Sequence, residues 1–217
     1  MASKTAENHE FYQQLVRRFY AQANSRHKRF PLIRNLQYGV ALYPLPQRVE
    51  TYFEAIEASA RRNVRKAQRL GYSFARIDFN QHRAEISAII RSAPVRQGPM
   101  PQHMLVDEIK PIADPVSLTT FHDYFYVGIF AQNELRAYGA CMVAGELFAI
   151  TDIYGHAAYQ ADGVVPLMLV EIVRYARTHY PHARYCMYDK YFGASESLRR
   201  FKQKFLFLPY KVDWRLE

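Results

Sequence analysis

An α/β fold of the α+β kind, one mixed sheet with helices on both faces, is predicted by three features of this sequence. Three strand-like runs, 125–131, 135–143 and 147–154, follow one another closely, with Gln132-Asn133-Glu134 and Gly145-Glu146 as the turns. Such short turns between apolar runs read as an antiparallel meander. A strongly apolar helix over 163–178 then leads to a strand over 184–189, and a strand–helix–strand unit calls for parallel pairing. Finally, a short basic and aromatic helix over 195–204 runs into a last strand over 207–214. The order is a meander followed by β-α-β-α-β.

The remaining elements follow from periodicity and stop signals. Residues 7–28 read as a basic helix with Phe11, Leu15, Val16, Phe19 and Tyr20 near one face. A strand over 38–43 is stopped by Pro44 and Pro46. One long helix is expected from about 47 to 70, with Gly71 as its C-terminal stop. A strand over 72–78 and an amphipathic helix over 82–90 come next. Residues 92–120 hold five prolines and read as a long loop with one short helix. Loops of that length in compact domains are usually functional. In the apolar helix Pro166 falls in the first turn, where it is tolerated, and Ser195 is placed to cap the short helix.

Composition narrows the class. The 217 residues fit one domain over 1–217 with a helical N-terminal extension of about 1–36. No apolar run reaches the length of a membrane span. The first ten residues lack an apolar signal core, so a cytoplasmic protein is expected. Cys141 and Cys186 lie in apolar strand-like runs and read as buried free thiols. Lys and Arg number 29 against 20 Asp and Glu, a formal charge of +9. That excess makes an anionic partner plausible, such as tRNA, CoA or a nucleotide-linked substrate. No His, Cys or carboxylate spacing points to a metal.

Four stretches carry candidate chemistry. Gln160-Ala161-Asp162-Gly163-Val164-Val165 places a glycine at the mouth of a helix, where free amides and the positive dipole end suit phosphate. The same glycine could equally only start a buried helix. Leu198-Arg199-Arg200-Phe201-Lys202-Gln203-Lys204-Phe205 alternates cations with aromatics. Arg61-Arg62-Asn63-Val64-Arg65-Lys66-Ala67-Gln68-Arg69 stacks Arg61, Arg65 and Arg69 at four-residue spacing, where like charges repel unless an anion compensates. Cations there also suit a solvated helix C-terminus. Arg96 and Gln97, between Pro94 and Gly98-Pro99, read as a rigid polar fingertip for a substrate, or as a plain surface loop.

The order of elements, the glycine loop and the terminal helix resemble the second half of a GNAT acyltransferase domain. The Arg61–Gly71 stretch and the L-x-x-F-K-x-x-F-like run from Leu198 resemble, more narrowly, the Fem-type aminoacyl or peptidyl transferases. That resemblance implies acyl or aminoacyl transfer to an amine, from acyl-CoA or aminoacyl-tRNA. It implies that Gln160, Gly163, Val164 and Phe201 lie at the donor, and that Lys202 stabilises charge at the reacting carbonyl. Val165 departs from the small residue that GNAT loops carry here, and a branched side chain hinders close approach of a pyrophosphate.

Lys202, one residue past Phe201, is expected at the edge of a cleft with its charge retained, and Tyr191 along the same cleft. Asp152 or His156, at the end of the third meander strand, could deprotonate an ammonium acceptor. Arg61, Arg65, Lys66, Arg69, Arg96 and Gln97 are the expected substrate-binding cations and fingertip. The alternative reading is a non-catalytic module that holds nucleic acid on its arginine-rich helix.

Overall fold

The computed structural model describes residues 10–45, 48–96 and 98–216. Helix α1 (Glu10–Asn24) precedes strand β1 (Val40–Pro44), helices α2 (Val49–Ala55) and α3 (Ala58–Arg69), strand β2 (Ser73–Ile77) and helix α4 (Arg83–Arg91). The meander is β3 (His122–Ala131), β4 (Glu134–Ala144) and β5 (Leu147–Gly155). Helix α5 (Val164–His179), strand β6 (Tyr185–Lys190), helix α6 (Glu196–Lys204) and strand β7 (Leu208–Tyr210) complete the order. Short 3-10 turns occupy Phe79–Gln81, Gln102–Met104 and Ala157–Asp162.

Among the described residues seven strands form one mixed sheet in the order β2-β3-β4-β5-β6-β1-β7. Only β5 and β6 pair parallel, as the crossover through α5 requires. The β3–β4 hairpin turns on Gln132 and Asn133, with φ of 51° and 64°, the conformation that matches strand twist in a two-residue loop. Helices lie on both faces. On one face α3 and α5 bury Val64, Ala67, Leu169 and Val173 against Phe125, Val127, Ile150 and Cys186. On the other, Ile86, Ile89 and Ile90 of α4 cover Tyr126, Tyr138 and Ala140. Beside them α1 and Trp214 cover Met142, Ala149 and Met187. Both cysteines are free and buried.

Two elements differ from expectation, and a third takes a place that the sequence left open. The helix expected over 47–70 is two helices. Ile56 and Glu57 are extended, with ψ of 156° and 144°, and Ile56 drops into the core. The break is held from outside: Glu57 N donates to Lys204 O at 2.9 Å. The last strand stops at Tyr210. The tail beyond crosses to the segment before β1, where Val212 N donates to Gln37 O and Trp214 Nε1 to Leu36 O. Strand β1 also comes between β6 and β7, pairing antiparallel with both. Its Val40 and Ala41 are fully buried on opposite faces, the pattern of an interior strand. Among the described residues no helix is long and apolar enough to cross a membrane.

Candidate active site

The parallel ladder between β5 and β6 is short. It pairs Leu147–Ala149 with Tyr185–Met187 and then ends, although β5 runs on to Gly155 and β6 to Lys190. Beyond it β6 bends. Leu42 and Val40 of β1 face Met187 and Lys190, so β6 carries an extra residue, and Asp189 takes a left-handed φ of 50°. A bulge of this kind turns the strand and re-aims its groups. The two strands therefore part at their C-terminal ends, where ligands bind in many open α/β sheets.

Lys202 approaches this divergence from α6. Its Nζ donates to the Lys190 carbonyl at 2.5 Å and lies 4.8 Å from the centre of the Tyr188 ring. The side chain is 1% exposed, so the expectation of a lysine at a cleft edge is corrected. Spacing explains the burial: Lys202 is four residues after Leu198 and three before Phe205, on the inward face of α6. Ser195 fixes the helix start by accepting from Leu198 N at 3.2 Å. Burial pushes the Lys202 ammonium down to about 8, with the Asp189 charge opposing the shift. At neutral pH it is still largely protonated, and it is a better proton donor than an ordinary lysine.

The other expected catalytic residues are spread around the divergence. Asp152 is half-buried; burial raises its carboxyl, and a hydrogen bond from Tyr154 holds it back. Tyr154 and Asp152 point to the α4 face, across the β4 pairs Tyr138 and Ala140. His156 caps the turn after β5, its Nδ1 accepting from Ala158 N at 3.3 Å. Burial, then Arg136 and Arg96, hold its imidazole below the usual range, so it is neutral near pH 7. Tyr191 is half-buried, and its backbone N donates to Gly39 O at 2.6 Å.

The glycine loop and the arginine helix, a hundred residues apart in sequence, meet here. Gly163 has φ of 86°, and a Cβ on it would lie 2.4 Å from the Asn63 carbonyl oxygen. This glycine lets α5 start directly against α3. Lys66 donates to Ala161 O at 2.9 Å and pairs with Asp162 at 3.3 Å, while Tyr72 donates to Asp162 at 2.9 Å. Val164 is buried, and Val165 Cγ2 crowds Gly155 at the end of β5. Gln160 is exposed, and Phe201 packs on Phe205 with ring centres 5.0 Å apart.

Several expected substrate-binding cations are occupied within the protein. Arg61 donates to the Glu54 and Ile56 carbonyls, closing the end of α2, at 2.5 and 2.7 Å. Arg65 lies over the Phe53 ring, and Arg69 is exposed. Arg96 is no fingertip. It donates to Gly155 O at 3.2 Å and Ile89 O at 2.7 Å and lies over Tyr154. Gln97 lies outside the described residues. Sequence reasoning did not single out Tyr188, the ring beneath Lys202, or Tyr126 and Tyr138 of the α4 face. The alternation of tyrosines at 124, 126, 138 and 154 was the available signal.

No protein-family model and no curated protein matches the chain. Solved structures do. FemX superposes with a TM-score of 0.58 at 11% identity, covering 79% of this chain and 59% of FemX. The C-terminal domain of an Agrobacterium fabrum protein described as a lysylphosphatidylglycerol synthetase gives 0.50 at 15% identity, covering 78% and 57%. A conserved protein of unknown function from Bacteroides thetaiotaomicron gives 0.50 at 11% identity, covering 80% and 58%. The chain thus spans less than two thirds of each of these structures. The fold is GNAT-like and is shared with FemX.

Proposed function

We propose that this chain transfers an acyl or aminoacyl group to an amine at the parting of β5 and β6. The observation that carries the reading is the buried ammonium of Lys202, held by one carbonyl and one aromatic face at the end of β6. A lysine ammonium has three donors, and the Lys190 carbonyl accounts for one. A preorganised charge in a dry site stabilises an oxyanion far better than the same charge in water. The likeness to FemX supports this placement through the fold alone.

The reaction balances with these groups. The acceptor ammonium gives its proton to Asp152, and the free amine attacks the donor carbonyl. Charge gathers on the carbonyl oxygen, where Lys202 stabilises it. The bond to the donor oxygen or sulfur breaks, and Lys202, a stronger acid than a free lysine, protonates the leaving group; the attacking nitrogen sheds its second proton to solvent as the amide forms, and solvent reprotonates Lys202. His156 is already engaged as a cap through Nδ1 and is the less suitable base.

Between the two donors, side-chain packing favours an aminoacyl ester over acyl-CoA. Val165 fills the space against Gly155 beside the first turn of α5, and Asp162 puts a carboxylate at the same corner. Both oppose a pyrophosphate. The nucleic-acid module is the weaker reading, because Arg61, Lys66 and Arg96 are bonded internally.

The experiment is a donor panel. Purified full chain is incubated with a mixture of primary amines and either bulk aminoacyl-tRNA or acetyl-CoA, and amide products are read by mass spectrometry. Amide from aminoacyl-tRNA supports the reading in full, and amide from acetyl-CoA reverses the donor preference. Amide from neither donor overturns transfer.

A further inference from the structure

The α4 face of the sheet holds a cavity of about 250 Å³, lined by Phe79, Ile90, His103, Met104, Ile109, Tyr126, Tyr138 and Asp152. Its floor follows from strand register. Ala140 of β4 pairs with Tyr126 of β3 on one side and with Asp152 of β5 on the other. A methyl between a tyrosine and a carboxylate leaves a hollow in the middle of the row. Tyr138, two residues along β4, closes one end, and the Phe79 ring stands 4.6 Å from that of Tyr126.

The roof comes from the long proline-containing loop and is pinned. Ser87 Oγ donates to Val106 O, Arg83 donates to Ile109 O at 3.1 Å, and Arg91 pairs with Asp107 at 2.6 Å. The cavity is therefore formed before any ligand arrives.

Its chemistry is selective. The lining is aromatic and aliphatic except for Asp152 and the His103 ring. None of the ion pairs among the described residues includes Asp152. Burial raises its carboxyl, and a hydrogen bond from Tyr154 opposes that rise. A half-buried carboxylate outside the ion pairs of the described residues, at one side of an aromatic hollow, is suited to an organic cation. It disfavours anions. It is also unsuited to a metal, since no group of three His, Cys, Asp or Glu among the described residues could hold one. The volume is below that of pockets for drug-sized ligands, so only a short stem fits.

We propose that this cavity binds a primary alkylammonium group on a short apolar stem, with Asp152 holding the ammonium and Phe79, Tyr126 and Tyr138 the stem. That this ammonium is the acceptor rests on the transfer reading; the binding does not.

The test uses the full chain with methionine methyls labelled with carbon-13, titrated at neutral pH without any donor. The probes are n-pentylamine and its neutral counterpart n-pentanol. The Met104 methyl should shift saturably with the amine, with at least tenfold weaker binding of the alcohol. The Met168 methyl, in the core of the opposite face, should stay. Asp152→Asn should abolish the preference while leaving alcohol binding in place. Equal binding of the two probes by the unmodified chain, or a silent Met104, overturns the site. Saturable amine binding without transfer to any amine refutes the transfer reading and leaves the site standing. Transfer with a silent Met104 does the reverse.

Discussion

The ammonium of Lys202 and the carbonyl of Lys190 are joined at 2.5 Å, and this bond ties α6 to the bulged end of β6. Lys190 is anchored in turn through its own Nζ, which donates to Asn35 Oδ1 at 2.6 Å. The bond orients a charge that burial makes costly, and it determines how stability and transfer should respond to pH.

The first prediction concerns stability. The folded chain holds the Lys202 proton less tightly than the unfolded chain, about 8 against 10.5. Between those values the unfolded state carries the extra proton, so stability rises with pH across the window. Lys202→Met should remove that rise, which is of order 3 kcal/mol in full. The variant should be no less stable than the parent near neutral pH. Urea titrations of both proteins from neutral to alkaline pH check this; parallel curves would contradict it.

Transfer should show the opposite alkaline behaviour. The rate should climb as the raised Asp152 carboxyl ionises and fall near about pH 8 as Lys202 loses its proton. A pH–rate profile at saturating donor checks both limbs. A flat profile from neutral to alkaline pH would remove Lys202 as the charged group.

Gly163→Ala should destabilise the protein by about 2 kcal/mol or more, from its left-handed φ and the Asn63 carbonyl together. The loss should appear in the urea midpoint with no donor present. A neutral outcome would mean that α3 gives way easily.

The arginines separate by partner. Arg61→Gln leaves the Glu54 and Ile56 carbonyls short of a donor and should cost about 1–2 kcal/mol. Arg69→Gln, on an exposed side chain, should stay within about 0.5 kcal/mol. Urea midpoints and retention on a polyanion column are the readouts. Weaker retention of Arg61→Gln at unchanged stability would restore the anion stripe.

Local pattern made most of the sheet legible. Apolar alternation and turn residues marked the meander, and the crossover through α5 called for the parallel pair. The partners of β1 were not legible, because three buried residues in a row say that a strand is interior without naming its neighbours. The break at Ile56 was hidden too: no Gly or Pro marks it, and its stabilising groups, Arg61 and the Lys204 carbonyl, come from elsewhere. At the candidate site, the position of Lys202 between Leu198 and Phe205 already implied an inward side chain. The similar spacing of charges along α6 masked it. The roof over Asp152 left no periodic trace, since single side-chain bonds from α4 hold it in place.

The most direct test is the transfer rate of Lys202→Met beside Lys204→Met. Lys204, two residues on, lies 3.8 Å from Glu57. With amide formation measured on the donor that supports it, Lys202→Met should lose roughly a hundredfold or more, as for a removed oxyanion donor. Lys204→Met should keep the parental rate, and both should remain folded. Parental rates in both variants would contradict the account, leaving Lys202 a buried packing residue and transfer without its charged group.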